Sequence, residues 1–298
     1  GVIATAPAAG NAILVKYSST GVTQWVQKVT TALLSSTYFR RVSTGLDGSV
    51  YVSGSLYNND TYDFANGVSV AGGYAALDSI VLVKYNSSGL AQWAVTELNG
   101  SGNSLFYDVS VAPDGSVYAA GSIYANGTYD FGNGATTAGS CTFDNNVVLV
   151  KYDNSGLAQW AKSVSTVGDH ISYFRDVSTS PDGSVCAAGA IVGPDTFDFG
   201  NSQTATVAYA GYNAVLVKYD GASVTQWART VPAGSGGSEF KSVSTAADGF
   251  TYAGGFISGT TAYDFGGVIA AGVYAGGLSS VLVKYDSSGV PRWAKSLI

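Results

Sequence analysis

The chain has 298 residues, with 20 acidic and 14 basic side chains, a net charge of −6 and only 11% charged residues in all. An acidic balance whose basic residues are spread out rather than clustered argues against nucleic acid, and no apolar run is long enough to span a membrane. Hydrophobic residues at 46% supply a large core, while 39 Gly and 20 Tyr stand where charges usually do, as suits a surface that packs against copies of itself and in which buried charge would be costly.

The first predicted elements are two strands, 13–17 and 23–29, opening on Ile13-Leu14-Val15-Lys16-Tyr17. That phrase returns as Val81-Leu82-Val83-Lys84-Tyr85, Val148-Leu149-Val150-Lys151-Tyr152, Val215-Leu216-Val217-Lys218-Tyr219 and Val281-Leu282-Val283-Lys284-Tyr285. The lysines are 68, 67, 67 and 66 residues apart, and a tryptophan follows each by nine residues: Trp25, Trp93, Trp160, Trp227 and Trp293. Self-similarity at a fixed period marks a repeat architecture, whose units bury their apolar faces on one another. No linker interrupts it, so residues 1–298 read as one domain.

The unit 106–164 shows the pattern. A first strand, 106–111, alternates Val109 and Val111 with polar neighbours and ends at the tight turn Pro113-Asp114-Gly115, where Asp bonds the backbone and Gly supplies positive φ. A second strand covers 116–121. A long excursion, 122–146, carries Tyr129-Asp130-Phe131-Gly132, and a third strand follows at 147–152. Asp153-Asn154-Ser155-Gly156 turns the chain into a fourth strand, 157–164. No segment sustains a 3.6-residue period, so almost no helix is expected.

Four antiparallel strands per repeating unit predict an all-β fold, a β-propeller with strand one at the central channel and strand four at the rim. The apolar Val-Leu-Val of strand three fits a strand covered on both faces. Units 39–95, 106–164, 174–231 and 240–298 are four complete blades, and residues 1–30 are an N-terminal half blade, giving five blade positions.

The run Asp-Gly-Ser-Val-Tyr-Ala-Ala-Gly, then Asp-Phe, then Val-Leu-Val-Lys-Tyr-Asp-x-Ser-Gly-x-x-x-Trp resembles the bacterial and archaeal β-propeller repeats called SBBP, and the likeness covers essentially the whole chain. The resemblance implies the architecture and a secreted or surface setting. That family shares no catalytic residues, so no chemistry comes with it.

The half blade is the informative irregularity. Gly1-Val2-Ile3-Ala4 repeats Gly267-Val268-Ile269-Ala270, so the chain starts inside a repeat, and it contains no Met at all. A secreted chain with a processed N-terminus is the expectation. Exposed strand edges are templates for another chain. The chain is part of a longer protein, or the fifth blade is thin, or a neighbouring subunit completes it by strand addition. On the last reading the subunit contact comprises Ile13, Val15, Tyr17 and Trp25 of the hairpin against Trp293, Leu297 and Ile298 of the final strand, and such a head-to-tail contact builds filaments when it does not close.

Each repeated polar residue has a structural reading that outweighs a functional one. The lysines are expected to pair with a carboxylate or carbonyl of their own or the next blade, and the tryptophans to wedge between blades with the indole N–H on a carbonyl. Asp63, Asp130, Asp198 and Asp264, each before a Phe, are expected to hold their loops rather than Ca²⁺. Only Asp60, Asp78, Asp144, Asp169, Asp195, Glu97 and Glu239 stand outside the repeat pattern, and nothing marks two of them as a glycosidase pair. His170 has no nucleophile motif beside it. Cys186 takes the place of Tyr51, Tyr118 and Tyr252 and should point into a blade interface; a disulfide to Cys141 is allowed but not required. Asn59, Asn86, Asn99 and Asn126 begin glycosylation sequons. The expectation is a non-enzymatic extracellular structural protein, a self-assembling surface or filament subunit whose partners are copies of itself. No catalytic, metal or cofactor-binding residue is assigned, and no cofactor is expected. The alternative is a monomeric propeller module that binds a glycan or a surface protein.

Overall fold

In the computed structural model, residues 10–31, 35–166, 170–207 and 209–297 are described. All their regular elements are strands. A hairpin, Ile13–Tyr17 with Thr23–Lys28, precedes four antiparallel sheets of four strands each. Sheet I comprises Ser36–Thr44, Val50–Tyr57, Asp78–Tyr85 and Ala91–Val95. Sheet II comprises Ser104–Val111, Val117–Tyr124, Asn145–Tyr152 and Ala158–Lys162. Sheet III comprises Ser172–Thr179, Val185–Val192, Tyr212–Tyr219 and Thr225–Thr230. Sheet IV comprises Ser238–Thr245, Thr251–Ser258, Leu278–Tyr285 and Pro291–Ser296. Within each sheet the strands lie side by side in chain order.

The sequence pattern starts each first strand at its Phe, but the strands begin two or three residues earlier, at Ser36, Ser104, Ser172 and Ser238. A β-bulge explains the difference. Phe39 pairs with Gly54 and Arg41 with Ser53, so Arg40 is the extra residue; Tyr107, Arg175 and Lys241 hold the same place in sheets II, III and IV. A bulge inverts the in–out alternation, which hides the residues ahead of it from a period-two reading, and it re-aims the bulged side chain. The glycine opposite is part of the device. A Cβ on Gly54, Gly121, Gly189 or Gly255 would collide with the carbonyl oxygen of Tyr38, Leu105, Tyr173 or Glu239, so the glycine at this place in each second strand is dictated by the strand beside it.

The excursions contain short strands of their own. Thr61–Asp63 pairs with Ser69–Ala71, Thr128–Asp130 with Thr136–Ala138, Thr196–Asp198 with Thr204–Thr206, and Ala262–Asp264 with Ile269–Ala271. Each ribbon also receives the segment that arrives from the preceding unit, at the Asp that precedes the repeated Phe: Thr30 opposite Asp63, Asn99 opposite Asp130, Ser165 opposite Asp198, Ala233 opposite Asp264. The Asp side chains fix the turn after the strand, accepting from the backbone N–H of Ala65, Gly132, Gly200 and Gly266.

Four apolar clusters fill the spaces between consecutive units. One lies between the hairpin and sheet I, one between I and II, one between II and III, and one between III and IV. The third strands of sheets I to III are buried almost throughout, whereas that of sheet IV alternates between buried and exposed. The first strands pack on one another in the order I, II, III, IV and together line one cavity of about 580 Å³.

Candidate functional site

The repeat is also a repeated joint. In sheet I, Val81, Val83 and Tyr85 turn toward the hairpin and share a cluster with Leu14 and Trp25, while Leu82 turns the other way, into the cluster with Phe106 and Val148 of sheet II. Strand alternation makes every unit two-faced in this way. One face carries Val, Val and Tyr, and the other carries Leu, Lys and the following Trp.

The joint is locked by polar contacts to the turn between strands three and four of the next unit. Trp25 donates its indole N–H to the Ser87 carbonyl at 3.1 Å, Trp93 to Asn154 at 3.0 Å, Trp160 to Gly221 at 3.2 Å and Trp227 to Ser287 at 3.1 Å. The lysine of the same unit reaches the same turn: Lys16 donates to the Ser87 carbonyl, Lys84 to Asn154 and Lys151 to the Gly221 carbonyl. Lys218 instead lies 4.0 Å from the Asp182 carboxylate of its own sheet. The turn glycines serve twice. Gly89, Gly156 and Gly289 sit at φ of 83°, 87° and 78°, and a Cβ on any of them would run into the indole of Trp25, Trp93 or Trp227. In sheet III the place is held by Ser223, also at positive φ.

Both ends of the described chain leave half of this joint open. At the hairpin, Gly21 has the same positive φ but no atom within 4 Å of a Cβ placed on it. Tyr17 is 58% exposed, whereas Tyr85, Tyr152, Tyr219 and Tyr285 at the same repeat position are 0% exposed. Ile13 is exposed too and Val15 is half-buried. At sheet IV the opposite face is bare. Leu282 is 41% exposed against 0% for Leu82, Leu149 and Leu216. Trp293 leans on Tyr252 of its own sheet, with ring centroids 6.2 Å apart, and no hydrogen bond of its indole N–H is found among the described residues. Lys284 folds back over Phe250, 3.8 Å from the ring centroid.

Of the contact residues expected from sequence, Ile13, Val15, Tyr17 and Trp293 therefore lie on open faces. Trp25 does not. It is turned inward onto Tyr85 and the 86–89 turn of its own chain, so it belongs to an internal joint. Leu297 is exposed, with its N–H on the Ser280 carbonyl. Ile298 lies outside the described residues, as does Asp169. Leu282, Tyr252 and Gly21 were missed, although each is the repeat equivalent of a residue buried in an internal joint: Leu82, Tyr51 and Gly89.

The remaining candidates settle into local roles. His170 Nε2 is 3.3 Å from an Asp195 carboxylate oxygen. Glu97 is buried between sheets I and II, where it accepts from the Ile80 N–H and from the Ser104 and Thr96 hydroxyls; burial outweighs those bonds and pushes its carboxyl up to about 7. Both cysteines are buried, with Cys186 in the cluster between sheets III and IV, as its repeat position implies. Among the described residues there is no group of three or more His, Cys, Asp or Glu side chains fit to hold a metal ion, and no helix long and apolar enough to cross a membrane. Arg40, Arg41, Arg175 and Lys241, scattered in the sequence, converge on the cavity between the first strands.

No family model matches the chain, and no curated protein matches it. Among solved structures it is similar to a protein of unknown function from Bacteroides caccae, whose crystal structure was determined at 1.35 Å resolution. The two share 9% identity and a TM-score of 0.35 over 97% of this chain and 94% of that one. A likeness of that depth carries no argument about fold or function.

Proposed function

We propose that the four sheets are the complete blades of an SBBP-type β-propeller with five blade positions, and that the protein is an extracellular self-assembling structural subunit joined head to tail. In this reading the bare face of sheet IV in one copy, with Tyr252, Leu282, Lys284 and Trp293, receives the bare face of the hairpin in the next, with Ile13, Val15, Tyr17 and the Gly21 turn. The carrying observation is that one joint is made four times within the chain and that the two unmatched halves are the two halves of a fifth. Burying Tyr17 and Leu282 would contribute roughly 1.5–3 kcal/mol each. The propeller arrangement is supported by the chain-order strand pairing and by the single cavity shared by all four first strands. Extracellular placement rests on the low charge and on the resemblance to SBBP repeats.

The contact is heterologous, since two different surfaces meet, and this makes it testable by complementation. Val15→Asp disables the hairpin face and Leu282→Asp disables the sheet IV face. Each variant alone should remain monomeric in sedimentation velocity, while an equimolar mixture should form a heterodimer and stop there. Wild-type protein should form longer species, seen as ordered fibres by electron microscopy. A wild type that stays monomeric at high concentration, or a mixture that does not dimerise, would overturn the reading.

A further inference from the structure

The bulge position of the first strand carries Arg40, Tyr107, Arg175 and Lys241 in sheets I to IV, and all four line the same cavity, together with Tyr38, Phe39 and Arg41. A bulge aims its extra side chain away from the sheet pattern, and four such bulges aim theirs at one volume. In a protein of net charge −6, three of those four side chains are cationic, and Arg41 adds a fourth.

The local carboxylates do not balance them. Glu239, almost fully buried, accepts from Arg175 Nε at 3.1 Å and lies 2.7 Å from Lys241 Nζ, so one negative charge serves two cations. Asp108 is 3.9 Å from Arg41 Nε, but its other oxygen accepts the Val177 N–H across the sheet II–III joint. Asp176 does the same for Val243 and the Ser242 hydroxyl. Burial, and then the neighbouring Asp176, raise the Asp108 carboxyl above the usual carboxylate range. Among the described residues only two carboxylates, Glu239 and Asp108, stand within ion-pair distance of the four cations, which leaves at least two positive charges without a partner of their own. No carboxylate is within ion-pair distance of Arg40 among the described residues; its guanidinium lies 5.5 Å from the Tyr107 ring centroid, and that of Arg175 lies 4.8 Å from it and 4.3 Å from Tyr173. Stacking of this kind orders a guanidinium and leaves its planar fork available for oxyanions.

We infer that this cavity is a binding site for a small polyanion, a ligand presenting two or more carboxylate, sulfate or phosphate groups to Arg40, Arg41, Arg175 and Lys241. A volume of about 580 Å³ accommodates a molecule of that kind within the ordinary range for ligand sites, and a positive cavity in an acidic protein focuses its field on an entering anion. The inference is independent of the head-to-tail contact, which uses the open faces of the hairpin and of sheet IV and none of the cavity residues.

The test is isothermal titration calorimetry in low-salt buffer with three separate probes, citrate, inorganic sulfate and pyrophosphate, and with glycerol as a neutral control. At least one anion should bind with a stoichiometry of one, and affinity should fall about tenfold when salt is raised from roughly 20 to 200 mM. Arg40→Gln combined with Arg41→Gln should weaken binding at least tenfold; both side chains are exposed, so the thermal midpoint should hold. Lys241→Gln is the second variant and should weaken binding in the same direction. Val15→Asp, which disables assembly, should bind as wild type does. Absence of binding by all three anions at low salt, or binding that both sets of variants leave unchanged, would overturn the inference.

Discussion

Trp160→Ala and Trp293→Ala change the same repeat position and should have opposite consequences. Trp160 is half-buried between Tyr118 and Tyr219, at centroid distances of 5.8 and 6.3 Å, and its indole N–H bonds the Gly221 carbonyl. Truncating a buried aromatic costs about 3–5 kcal/mol, and a hydrogen bond contributes about 1 kcal/mol. With the ring half-buried, the expected loss is about 3–4 kcal/mol. Trp293 touches one ring, that of Tyr252, and its N–H makes no bond among the described residues, so its truncation should cost about 1 kcal/mol. Urea unfolding of each variant, at concentrations low enough to keep the protein monomeric, measures both. Sedimentation at high concentration then gives the second half of the contrast: Trp160→Ala should still assemble, and Trp293→Ala should not. Equal stability losses would mean that Trp293 is covered within its own chain, so that the sheet IV face is not free for a second copy, and the head-to-tail reasoning would fail.

Two further outcomes are expected at internal joints. The Glu97 carboxyl, raised by burial to about 7 from its ordinary value of about 4.5, holds its proton more tightly in the folded than in the unfolded state. Stability from this group is therefore present below about pH 4.5 and is lost as pH rises through about 7, by at most about 3 kcal/mol. Glu97→Gln should flatten that part of the pH–stability curve and exceed wild type at pH 8, leaving the slope of the same sign from Asp108; an unchanged curve would count against a buried protonated Glu97. The Tyr152 hydroxyl is buried with no hydrogen-bond partner among the described residues, while its ring meets Phe106 edge-on at 6.5 Å. Tyr152→Phe should be neutral or stabilising by up to about 1 kcal/mol in urea unfolding, and a loss above that would show that the hydroxyl is satisfied in solution.

The local chemistry of this chain was legible because it is repeated. Asp-Gly turns, the alternation Val-Leu-Val-Lys-Tyr and the Trp nine residues on have short-range meanings that do not depend on where the unit sits. Hence the strands, their order in each sheet and the structural roles of Trp93 and Asp130 follow from residue type and spacing. The short ribbons of the excursions were not legible, since three-residue strands such as Thr128–Asp130 carry too little pattern to stand out, and they are held by pairing with a segment from the preceding unit.

Which face of each element meets which neighbour is a different kind of fact. Trp25 and Tyr17 both read as uncovered apolar residues of a lone hairpin, yet Trp25 lies against Tyr85 while Tyr17 is bare, because alternation sends them to opposite sides and only one side has a sheet upon it. The cationic cavity belongs to the same class. Arg40, Arg175 and Lys241 are distant in the chain and share only the place after a Phe. A bulge at that place, enforced by the glycine opposite, and four sheets brought edge to edge are needed to turn a scattered set of charges into a single site. Repetition lets the sequence by itself determine the unit and its joint, because those depend on contacts within about one period; the meeting of equivalent positions from four units depends on how the units are set around one another, and only the tertiary structure decides that.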